Sequence, residues 1–68
     1  MLIRDFRIQN GWNQSELAEI LNTSQAAISR LEVADKETSV FSIEDVKNIS
    51  NATGFSVGEL LELLGVDL

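Results

Sequence analysis

Residues 13 to 32, Asn-Gln-Ser-Glu-Leu-Ala-Glu-Ile-Leu-Asn-Thr-Ser-Gln-Ala-Ala-Ile-Ser-Arg-Leu-Glu, hold two short amphipathic helical patterns with three polar residues between them. That layout constrains the chain more than any other feature. Leu17, Leu21, Ile28 and Leu31 supply the inward apolar positions, and Ala18 is small enough for the two helices to approach closely. Asn22 is a residue type that tolerates the left-handed conformation needed to turn the backbone between them. The segment 14–32 therefore predicts two helices held at a steep angle by a tight turn, with the outer edge of the second one free to enter a groove.

The rest of the chain carries the same kind of local signal. A first helix is predicted from about Leu2 to Asn10, with Ile3 and Phe6 inward and Gly11 as its left-handed stop. Asn13 caps the second helix, Glu16 completes a capping box and Trp12 is placed to staple against Leu17. Ser24 caps the third helix. Val33 to Phe41 lacks a helical apolar period and mixes Asp35, Lys36, Glu37, Thr38 and Ser39, which predicts a surface loop. Ser42 with Asp45, and Phe41 with Val46, start a fourth helix that Gly54 ends. Ser56 with Glu59, and Phe55 with Leu60, start a fifth that ends near Leu64 before Gly65. No strand-length alternation and no proline occur, so the expected fold is all-α, a compact five-helix bundle formed by one domain over residues 1–68.

Composition excludes several functions. The chain has 68 residues, no cysteine and no histidine, which removes disulfides, thiolate metal sites, the usual zinc ligand and the usual general base. No enzyme activity, cofactor or metal is expected. The carboxylates Glu44, Asp45, Glu59 and Glu62 sit at helix starts, where acids are favoured anyway, and show no ligand spacing. The first residues carry charge at helical spacing, and no run approaches the roughly 20 apolar residues that span a bilayer, so a cytoplasmic protein without a membrane partner is expected.

The net charge of −6 opposes general nucleic-acid binding, yet it is unevenly spread. Residues 1–36 set four cations against five acids, and residues 37–68 set Lys47 against six acids. Most of the acidity thus lies outside the two-helix unit, and charges beyond about 8 Å from a phosphate are largely screened at physiological salt.

The run Arg7-Ile8-Gln9-Asn10-Gly11-Trp12-Asn13-Gln14-Ser15-Glu16-Leu17-Ala18-Glu19, then Thr23-Ser24-Gln25 and Ile28 to Glu32, resembles the Cro and repressor class (XRE family) of helix-turn-helix DNA-binding domains, and lambdoid phage repressor domains in particular. Ala52 to Val57 and Glu59-Leu60-Leu61 are similar to that family's closing helices, so the likeness covers nearly the whole chain. It implies the phage-repressor fold and a sequence-specific DNA-binding transcription regulator. It also implies a phosphate contact at Gln14, adenine recognition by Gln25, a thymine-methyl contact at Ala26, and base or phosphate contacts from Ser29 and Arg30. Thr23 and Ser24 would bond backbone oxygens, and Arg7 and Glu32 would form a structural ion pair. The basic loop that grips phosphates in such repressors is reduced here to Lys36, between Asp35 and Glu37.

Plainer readings stand beside these. Gln14 and Gln25 also suit solvated helix starts, Arg30 could pair with an acid such as Glu37, and Trp12 fits a core position better than a base-stacking platform. Leu60, Leu61, Leu63, Leu64, Val66 and Leu68 make the last helix more apolar than a one-sided contact requires. Leu63, Val66 and Leu68 are therefore expected to build a homodimer that spans a near-palindromic operator. No small-molecule ligand is expected. The alternatives are a fold of this type used for protein contact, as in an antitoxin or antirepressor component, and the DNA-binding module of a longer regulator.

Overall fold

The computed structural model describes residues 1–67. Five helices follow in order: α1 (Ile3–Gln9), α2 (Gln14–Ile20), α3 (Gln25–Val33), α4 (Ile43–Thr53) and α5 (Val57–Leu64), with a 3₁₀ turn at Thr38–Val40. The architecture is all-α, within 28 × 20 × 19 Å. None of these helices is long and apolar enough to cross a membrane.

Local capping chemistry sets most of the boundaries. The Asn13 side chain accepts from the Glu16 amide at 2.7 Å while the Asn13 amide donates to the Glu16 carboxylate at 3.0 Å, satisfying two amides at the start of α2. Ser42 and Asp45 repeat the arrangement at α4, with bonds of 3.1 and 3.0 Å. At α5 the Ser56 hydroxyl accepts from the Glu59 amide at 3.2 Å, and among the described residues the return bond from Glu59 is absent. Gly54 closes α4 at φ 83°, where a side chain would be strained. The expected staple from Phe55 to Leu60 does not put the ring inside: Phe55 is 49% exposed. Its backbone is held instead, its carbonyl by the Ser50 hydroxyl at 2.6 Å and its amide by the Thr53 hydroxyl at 3.3 Å, so the turn is fixed without burying the ring.

The core gathers Ile3 and Phe6 from α1, Leu17 and Ala18 from α2, Ile28 from α3, Val46 and Ile49 from α4, and Leu60 and Leu64 from α5, with Leu21 and Phe41 from the connections. The half-buried Trp12 ring stands edge-on to Phe6 at 5.8 Å, and Phe6 meets Phe41 at 6.3 Å. Trp12 is thus a packing residue.

Two expectations are corrected. Val33 to Phe41 is more than a surface loop: the Ile3 amide donates to the Lys36 carbonyl at 3.0 Å and the Thr38 amide to the Met1 carbonyl at 2.8 Å. Thr38 is fully buried, its hydroxyl donating to the Leu64 carbonyl at 2.7 Å. The loop thereby receives the start of α1, whose N-cap Leu2 has no capping side chain. The second correction concerns Val66, expected at a subunit contact. Gly65 takes a left-handed φ of 70° and the Val66 amide returns to the Leu61 carbonyl at 3.2 Å, which folds Val66 into the core at 9% exposure.

Candidate nucleic-acid interface

The two-helix unit is built as its sequence requires. Asn22 takes φ 56° and the Thr23 amide donates to the Ala18 carbonyl at 2.8 Å, reversing the chain after α2. Ser24 then caps α3, its hydroxyl oxygen accepting from the Ala27 amide at 3.1 Å. A hydroxyl that accepts in a cap retains its own proton to donate, so capping leaves Ser24 able to bond an outside oxygen.

The inner edge of α3 is locked by Ile28 and Glu32, both buried, and its outer edge faces solvent. Gln25, Ala26 and Arg30 are exposed and Ser29 is half-buried, and the exposed Thr23 and Ser24 extend this edge through the turn. The ion pairs among the described residues are Arg7–Glu32 and Arg4–Asp35, so the Arg30 guanidinium forms none of them and does not pair with Glu37. Lys36 is exposed, with its backbone fixed by the bond from Ile3.

Beneath the outer edge lies a charged network. Arg7 donates through Nε and Nη2 to the Glu32 carboxylate at 2.6 and 3.0 Å, and through Nη1 to the Trp12 carbonyl at 2.9 Å. The Arg7 and Glu32 side chains are 15% and 5% exposed. The hydrogen bond from Arg7 holds the Glu32 carboxyl below its ordinary range against the opposing effect of burial, and the same bond raises the Arg7 guanidinium.

Gln14, expected to meet a phosphate, also makes a contact within the domain. It is half-buried, and its Nε2 donates inward to Glu32 Oε1 at 3.3 Å. The neighbour on α2 that reaches Gln25 is Ser15, whose hydroxyl donates to Gln25 Oε1 at 3.1 Å. Neither bond was legible in the sequence, because no spacing within one helix reports a contact from the start of α2 to the first turn of α3, as at Gln25, or to its last turn, as at Glu32. Of the residues expected at a subunit contact, Leu63 is 52% exposed, Val66 is in the core, and Leu68 lies outside the described residues.

An open groove of about 350 Å³ runs between α3 and the start of α4, floored by Leu21, Ile28 and Phe41. Its one carboxylate, Asp45, already accepts from the Ser42 amide. No group of three or more potential metal ligands occurs among the described residues. A family model described as helix-turn-helix matches residues 3–60. Comparison with curated proteins and with solved structures returned no match.

Proposed function

The chain belongs to the Cro and repressor class (XRE family) of helix-turn-helix domains, and from that premise we propose that it is a sequence-specific transcription regulator that binds a near-palindromic operator through α3. One observation carries the reading: Gln25, Ala26, Ser29 and Arg30 share the outward edge of a helix whose other edge is immobilised by Ile28 and Glu32. A rigid helix with one free polar edge suits a major groove. Gln25 would pair with adenine through N6 and N7, Ala26 would meet a thymine methyl, and Arg30, helped by Ser29, would reach a guanine edge or a phosphate. Thr23, Ser24 and Lys36 would position the domain on phosphates, and Gln14 would add the amide hydrogen that Glu32 does not use.

Regulation would work by occupancy in the cytoplasm, without catalysis or cofactor. With few cations, one domain makes few phosphate contacts, so two copies on paired half-sites reinforce each other. Leu63 is the apolar group left outside α5 for such a dimer.

The test is selection of binding sites from random duplex DNA at stated salt. Enrichment of two half-sites spaced about 10 base pairs, roughly 34 Å, is expected for a two-fold dimer. Gln25→Ala should weaken operator binding by about 1–3 kcal/mol and relax one base pair. No enrichment, or an unchanged selected sequence with Gln25→Ala, would overturn the reading. The competing role, protein contact by an antitoxin- or antirepressor-like component, draws on the exposed Glu44, Glu59, Glu62 and Asp67, none of which forms an ion pair among the described residues. It predicts no DNA selection and capture of a basic partner.

A further inference from the structure

We infer that Ser15 is a positioning residue that holds the Gln25 carboxamide in place and so sharpens the choice of base pair facing it; this rests on the operator-binding reading above. The bond from Ser15 Oγ to Gln25 Oε1, at 3.1 Å, joins the first turn of α2 to the first turn of α3 across ten residues of chain. Both backbones are fixed where the bond forms. The Asn13–Glu16 capping box closes the turn that carries Ser15, and the Ser24 cap closes the turn that carries Gln25. Without the bond, an exposed glutamine would sample many rotamers.

The polarity of the bond matters as much as its presence. An amide oxygen has two lone pairs, so Oε1 keeps one acceptor site after Ser15 is satisfied, and both Nε2 hydrogens stay free. That is the acceptor and donor pair that matches adenine N6 and N7, whereas guanine presents two acceptors, O6 and N7. Against guanine the held Oε1 would face an acceptor in place of the adenine N6 hydrogen, so a carboxamide fixed in this orientation loses one of its two base hydrogen bonds. Gln14, the other polar side chain at the start of α2, is directed inward to Glu32 at 3.3 Å, which leaves Ser15 as the α2 residue bonded to Gln25.

The experiment compares wild type, Ser15→Ala and Ser15→Thr, each as the full chain, by amide NMR of the free protein and by equilibrium binding to the selected duplex and its three replacements at the pair facing Gln25. In Ser15→Ala the Gln25 side-chain amide signals should move while the backbone spectrum and the thermal midpoint hold, since Ser15 is exposed. Discrimination among the four duplexes should fall about three- to tenfold, the size of one net hydrogen bond, with binding to unrelated DNA unchanged and with Ser15→Thr restoring the preference. Unmoved Gln25 amide signals, or a base preference identical to wild type, overturn the role of Ser15 while leaving the operator reading intact. A wild-type chain that selects no site overturns both.

Discussion

Glu32→Ala should destabilise this domain far more than an exposed ion pair could. The substitution removes three hydrogen bonds at once, from Arg7 Nε, Arg7 Nη2 and Gln14 Nε2, and leaves the guanidinium with the Trp12 carbonyl alone. Removing one partner of a buried pair costs about 3–5 kcal/mol, and the 15% exposure of Arg7 allows some rehydration, which points to about 3 kcal/mol. A domain of this length has a total stability of about 3–10 kcal/mol, so the loss is a large share of it and corresponds to a fall in Tm of about 12–24 °C. Urea titration followed by far-ultraviolet circular dichroism and by the fluorescence of Trp12, the sole tryptophan, measures it. The double variant Arg7→Met with Glu32→Leu should recover most of the loss, because it leaves neither charge buried alone. A Glu32→Ala variant within about 0.5 kcal/mol of wild type, or a double variant showing simple addition of the single losses, would mean that Arg7 and Glu32 do not act as a buried, coupled pair.

Glu32 is held below its ordinary range in the fold, so its contribution to stability is complete above the unfolded carboxyl range and is lost as pH falls through the lowered folded value; urea midpoints measured from neutral pH downward should show this limb in wild type and not in Glu32→Gln. Thr38→Val should cost about 1–3 kcal/mol in urea titration, since it leaves the Leu64 carbonyl without its buried donor, whereas Thr38→Ser should cost less. Asn22→Ala should cost about 1 kcal/mol because the turn needs a left-handed backbone at φ 56°, and Asn22→Gly should be neutral within error by thermal melting.

Most features carried by signals within four or five residues were legible in the sequence, the Phe55 staple and the return bond of the Glu59 box excepted. Asn13, Ser24, Ser42 and Ser56 cap the helices expected of them, and Asn22 turns the chain between α2 and α3. Helix α1 starts and ends one residue inside its expected limits, the ordinary uncertainty of a fraying end. The Arg7–Glu32 pair became visible through family resemblance, because 25 residues separate the partners. Contacts with neither a local pattern nor a resemblance behind them stayed hidden. Thr38 lies among charged neighbours and gives no sign of a partner at Leu64, and Val66 reads as a subunit-contact residue until Gly65 turns it inward. At the interface the outward edge of α3 followed from helical periodicity. The inward turn of Gln14 to Glu32 and the partnership of Ser15 with Gln25 depended on how the start of α2 meets the last and first turns of α3 in space.

Thr38 is grasped from two directions: its amide reaches the carbonyl of Met1 and its hydroxyl the carbonyl of Leu64. A stretch with the composition of a linker is therefore the clasp that fastens both ends of the domain, and it cannot close until α1 and α5 have arrived. Such a clasp discourages piecemeal melting, since releasing either end opens a buried polar site. The slowest-exchanging amides should accordingly include one in the middle of the least helical segment.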